Sequence, residues 1–149
     1  MQNEDSSETT GDAAPSRRLP SLEDPLTRFY WSAGASGQLR IQRCGDCRRW
    51  QHPPLPNCPC CHGERMVDEP VSGTGRIATF TVNRQAWRPG LTEPYVYAAI
   101  ELAEQAELYV FANILAPVEA VFIGQQVEVR FEHFEDIWLP MFVPAGNAG

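Results

Sequence analysis

Two C-x2-C knuckles, Cys44-Gly-Asp-Cys47 and Cys58-Pro-Cys-Cys61, stand ten residues apart, and no other feature constrains the folding of this 149-residue chain as tightly. Such a pair can set four thiolates tetrahedrally around one ion at about 2.3 Å, the arrangement that structural zinc favours. Disulfide pairing or a redox role is the weaker account in a chain that reads as cytoplasmic, where thiols stay reduced. A site closed by four thiolates has no position left for water or substrate, so the ion would fold the chain rather than do chemistry. Only Cys61 completes C-x2-C with Cys58, so the ligands are assigned to Cys44, Cys47, Cys58 and Cys61, with one zinc per chain and Cys60 as a spare thiol. His52 and His62 flank the knuckles and are read as surface residues.

The compartment follows from what the sequence lacks. No run approaches the roughly 18 to 20 apolar residues of a membrane helix. Arg17-Arg18 leads into LPSLEDPLTRFYW, whose acids and prolines stand where an export signal needs an apolar core. The chain is therefore expected in the cytoplasm, with no membrane partner. All twelve basic residues are arginine, which excludes a lysine Schiff base or a P-loop lysine. From Met66 onward four arginines face eleven acids, which opposes binding to a phosphate backbone.

The pattern divides the chain into four parts. Residues 1–18 are too polar to offset their ordering entropy and are expected to be a disordered tail. Residues 19–37 hold a helix with Asp24 as N-cap and Pro25 at its first position, an apolar face of Leu26, Phe29, Tyr30 and Ala33, and an end at Gly34 or Gly37. So short a helix is marginal unless its face is covered, either by its own domain or by a partner; Phe29, Tyr30 and Trp31 are the candidate partner anchors. Residues 38–66 form the metal ribbon, whose surplus of arginine admits nucleic-acid contact until the charge of four thiolates is counted. Residues 67–146 alternate as strands over Ile77–Val82, Tyr95–Ile100, Leu108–Leu115, Gln126–Phe131 and Ile137–Val143, enough for a small barrel.

Candidate chemistry beyond the cysteines is sparse. Glu101, Glu104 and Glu107 lie in ELAEQAEL, which favours a helix by propensity but reads as a solvated hairpin connection between two strands. Ser32, Ser72 and His133 stand apart, with no nucleophile beside an evident base, so no catalytic residue is assigned. Gly73-Thr-Gly75 runs into a strand rather than a helix and reads as the ribbon-to-barrel turn. The connection from Asn83 to Gly90 places Arg84, Trp87 and Arg88 together in an otherwise acidic domain. Arginine suits bidentate phosphate contact and stacking, so these three are the candidate contacts for a phosphate-bearing ligand, against the alternative of a solvated or partner-facing loop.

The segments FYWSAGASGQLRIQRCGDC, LPNCPCC, SGTGRIATFTV, EPYVYAAIEL, IGQQVEVRF and LPMFVPA together resemble a family of zinc-ribbon and OB-fold proteins first catalogued as a domain of unknown function. The resemblance covers about Leu22 to Ala145; the extra Cys60 departs a little from the pattern. It implies a mainly β fold: an N-terminal helix, a rubredoxin-like C4 zinc ribbon and a five-stranded OB-fold barrel. It also implies a non-catalytic accessory subunit of a thiolase-like, lipid-transfer-type acyl-CoA aldolase or thiolase, or of a MaoC-like enoyl-CoA hydratase. Some members act in steroid side-chain degradation, and archaeal relatives bridge a thiolase and a hydroxymethylglutaryl-CoA synthase. A single-stranded nucleic-acid-binding OB-fold protein is the distant alternative, disfavoured by the acidic barrel.

Overall fold

The computed structural model describes residues 19–84 and 94–145. The expected tail, residues 1–18, lies outside the described residues, as do Trp87 and Arg88.

Asp24 opens the first turn: its Oδ1 accepts from the Leu26 N–H at 2.9 Å and its carbonyl from the Arg28 N–H at 2.9 Å. The regular helix α1 covers only Arg28–Ser32 and tightens into a 3-10 turn over Ala33–Ser36, which Gly37 ends in the left-handed region at φ 77°. Gly34 lets this turn press onto the barrel, because a Cβ there would stand 2.6 Å from both Phe131 and Trp138.

The ribbon is a three-stranded antiparallel sheet of β1 (Leu39–Cys44), β2 (Trp50–Gln51) and β3 (Met66–Val71), in the order β2-β1-β3. β3 pairs with β1 along its whole length, Leu39 opposite Val71 and Cys44 opposite Met66, so the ribbon sheet runs on to Val71. Charge holds it there: Asp68 pairs with Arg40, and Glu69 with Arg43 and Arg48.

After a turn at Ser72-Gly73, β4 (Thr74–Asn83), β5 (Tyr95–Leu102), β6 (Tyr109–Ile114), β7 (Gln126–Phe134) and β8 (Ile137–Pro144) close a barrel in the order β4-β5-β6-β8-β7. β6 and β8 run parallel and the other neighbours antiparallel. This is the five-stranded barrel the alternation predicts. β4 begins earlier than the pattern indicates because Thr74 to Arg76 close the barrel against β7, and a bulge between Ile77 and Thr79 resets which of its side chains face inward.

Ile77, Val96, Ile100, Val110, Val127 and Phe142 are each at most 1% exposed and fill the barrel; Tyr30, Leu39, Ile41 and Trp50 continue the same core into the helix and ribbon. Each fully buried aliphatic or Phe side chain contributes about 1.5–3 kcal/mol. No helix among the described residues is long and apolar enough to cross a membrane.

Candidate metal centre and its surroundings

The two knuckles are built alike. Cys44 ends β1, and its Sγ accepts from the N–H groups of Asp46 at 3.3 Å and Cys47 at 3.4 Å. Cys58 Sγ accepts from Cys60 at 3.3 Å and Cys61 at 3.5 Å in the same way. Each chain reversal is completed by a residue in the left-handed region, Arg48 at φ 68° and His62 at φ 67°. The knuckles are clamped together: Arg65 reaches across to the Asp46 carboxylate at 2.8 Å and the Gly45 carbonyl at 3.0 Å.

The four sulfurs of Cys44, Cys47, Cys58 and Cys61 lie within 4.8 Å of one another, with Cys44 to Cys61 and Cys47 to Cys58 both at 3.6 Å. A disulfide requires about 2.05 Å, whereas thiolates placed tetrahedrally at 2.3 Å from one ion stand about 3.8 Å apart. The donor set therefore fits a single four-coordinate metal ion. Cys60 is exposed and not among the four.

Without a cation the sulfurs cannot all ionise. The Cys47 and Asp46 amides hold the Cys44 thiol down at about 6 against the opposing effect of burial. The Cys61 and Cys60 amides likewise lower Cys58. At Cys47 the Arg49 amide pulls downward, but burial and the neighbouring sulfurs outweigh it and push the thiol up to about 12. A bound cation reverses this balance and favours all four thiolates.

The comparisons agree with this geometry. Residues 31–67 match the family model described as ChsH2, rubredoxin-like zinc ribbon domain, and residues 68–132 the one described as ChsH2, C-terminal OB-fold domain. The chain belongs to the ChsH2-type zinc-ribbon and OB-fold family. A probable enoyl-CoA hydratase alpha subunit of Thermomonospora curvata is 33% identical over 118 residues, 78% of this chain and 37% of that protein. Benzoylsuccinyl-CoA thiolase subunit BbsA of Thauera aromatica is 30% identical over 98 residues, 62% of this chain and 67% of that one. Among solved structures, a chain of the Ltp2-ChsH2(DUF35) aldolase superposes with a TM-score of 0.76 and 28% identity, covering 84% of this chain and 98% of its own. The present chain thus spans little more than a third of the hydratase subunit's length.

The other candidate residues of this ChsH2-type chain are scattered. Tyr30 is 5% exposed and lies in the core, where burial pushes its phenol well above the ordinary range; Phe29 and Trp31 are half-buried beside it. Arg84 is exposed at the end of β4. Ser32 donates to the Arg28 carbonyl, Ser72 pairs with the Thr74 hydroxyl, and His133 stacks on Trp138 with ring centroids 3.8 Å apart. Glu101 accepts from the Glu107 N–H and from Arg76, which lowers its carboxyl pKa, and Glu104 accepts from the Ser72 N–H. The ribbon arginines Arg40, Arg43, Arg48 and Arg65 are engaged by the acids of their own domain.

Sequence reasoning missed three residues that hold the ribbon in place. Gln42 is 4% exposed and exchanges two hydrogen bonds with the Leu55 backbone, at 2.9 and 2.8 Å. Gln105, in the connection read as solvated, does the same for both backbone groups of Trp50, at 3.0 and 3.1 Å, and so ties barrel to ribbon. His52, read as a surface residue, is half-buried: it packs on Tyr30 at 4.8 Å between ring centroids, and burial lowers its pKa to about 4.

Proposed function

We propose that the chain is a non-catalytic accessory subunit that binds and stabilises a thiolase-like, lipid-transfer-type acyl-CoA aldolase or thiolase and helps form its acyl-CoA channel, in steroid side-chain or lipid degradation. The observation that carries this reading is the likeness to a chain of the Ltp2-ChsH2(DUF35) aldolase, which extends over 98% of that chain. The name of the Thauera aromatica thiolase subunit supports it. The metal centre supports a structural role: four thiolate donors close the coordination of a zinc ion, leaving no position for substrate. Phe29 and Trp31, with Tyr30 beneath them, offer part of an aromatic docking surface, and Arg84, Trp87 and Arg88 are the residues for CoA phosphate and adenine at the shared entrance. The cytoplasm is the compartment that suits reduced thiols.

A second reading, partnership with a MaoC-like enoyl-CoA hydratase, is favoured by the hydratase alpha subunits of Thermomonospora curvata and Mycobacterium tuberculosis among the relatives. Assays on the tagged chain purified with its bound polypeptides from its own cells separate the two. Thiolysis of acetoacetyl-CoA by the complex and not by the lone chain supports the first reading, and hydration of crotonyl-CoA supports the second. Turnover by the lone chain overturns the non-catalytic assignment. In the assembled enzyme, Arg84→Ala with Arg88→Ala should raise KM for the acyl-CoA about tenfold at unchanged kcat, the cost of a lost charge-assisted contact.

A further inference from the structure

We propose that the outer face of β4, β5 and β6 is where this chain seats on its enzyme partner, through an uncharged aromatic patch of Tyr97, Phe111 and Tyr109. The proposal rests on the accessory-subunit reading above and adds the surface that serves it.

Three cross-strand rungs build the face: Arg76, Glu101 and Tyr109; Thr79, Ala99 and Phe111; Thr81, Tyr97 and Asn113. Tyr97 and Phe111 lie diagonally across the last two rungs and stack, with ring centroids 6.3 Å apart and planes 24° apart. Phe111 is 58% exposed, Tyr97 45% and Tyr109 37%, although all three sit on the paired strands β5 and β6. With about 200 Å² per aromatic side chain, they present roughly 300 Å² of surface to solvent. A standard interface covers about 800 Å² per partner, so the rings suit its centre, with Thr79 and Thr81 at the rim. Large aromatics held rigid in this way lose little entropy on binding and dominate interface hot spots.

Charge identifies the occupant. On the three rungs the charged side chains are Arg76 and Glu101, which neutralise each other at 2.7 Å. A polyphosphate chain finds no unpaired cation on these rungs. A second copy brings its own net charge of −7 against the −7 of the first, over a patch too small to offset the repulsion. A protein surface with an apolar cleft and a basic rim complements both the rings and the acidic segment that carries them, in which eleven acids face four arginines from Met66 onward. An enzyme that accepts CoA thioesters carries such cations at its entrance, because CoA is a polyphosphate. Arg84 follows directly on the end of β4, three residues past the Thr81–Tyr97 rung, so seating on this face brings that arginine toward the same entrance.

The test is made on the full chain in its own cells. A photoreactive benzoylphenylalanine at Phe111 should cross-link to the same polypeptide that co-purifies with wild type and carries the acyl-CoA activity. Phe111→Glu, and independently Phe111→Ser, should lose that polypeptide more than tenfold at unchanged metal content and melting temperature. Retention of the partner by both variants, or a cross-link to a second copy or to nucleic acid, overturns the docking face while leaving the accessory role standing. Absence of any acyl-CoA enzyme from the wild-type preparation defeats the functional reading itself.

Discussion

The ribbon and the barrel are both antiparallel in the main, yet they are held by different means. The barrel encloses Ile77, Val96, Ile100, Val110, Val127 and Phe142, all but removed from water, and its strands close on one another. The ribbon contributes Leu39, Ile41 and Trp50 to the shared core, and beyond them depends on four sulfurs, arginine-carboxylate pairs and the two glutamine clamps. One region is stabilised by burying apolar area and the other by local polar chemistry that a cation completes. The contrast teaches where metal matters: it should govern the order of the ribbon and leave the barrel standing.

The largest effect should come from the metal. Cys58→Ser removes a ligand that is 2% exposed, and metal-coupled folding in small ribbons is worth on the order of 10 kcal/mol. Hydrogen exchange should lose protection over β1 to β3 and keep it over β4 to β8; loss across the whole chain would erase the distinction. Next is Phe142→Ala at 0% exposure, expected to cost about 3–5 kcal/mol of stability in denaturant titration while the folded protein keeps its metal. Gln105→Ala tests the join between the regions. It leaves both backbone groups of Trp50 without their partner, costs about 2 kcal/mol, and should split one thermal transition into two by calorimetry.

The smallest effect sharpens the ribbon side through pH. His52 is held neutral in the fold, with its pKa lowered to about 4, so its contribution is present in full above the unfolded value near 6.5 and is lost as pH falls toward 4. About 1 kcal/mol should disappear between pH 7.5 and 5.5, and His52→Gln should lose less over the same interval in parallel denaturant titrations. Equal losses in the two proteins would place the acid sensitivity elsewhere.

What was legible in the sequence was local. The knuckles declare themselves by spacing, and the barrel strands by alternation over six to ten residues. What was hidden depends on partners far along the chain. Gln42 is buried because its amide meets a backbone thirteen residues on, and Gln105 is half-buried because Trp50 comes to it from fifty-five residues away. β3, with two acids and a proline in MVDEPV, has weak strand propensity and forms because Asp68 and Glu69 meet arginines from the ribbon. The outward rings of Tyr97 and Phe111 were present in YVYAAI and YVFANI as apolar residues on both faces of the alternation, a pattern that marks a covered surface without saying what covers it.

The central claim is that this chain works as a metal-bearing subunit of an acyl-CoA enzyme. Native mass spectrometry of the tagged protein purified from its own cells, with bound metal counted in the same sample, tests it most directly. The account predicts a hetero-oligomer with a thiolase-like or hydratase subunit in near-equal amounts and one zinc per chain. A solitary chain, or one that carries nucleic acid in place of an enzyme, would contradict it.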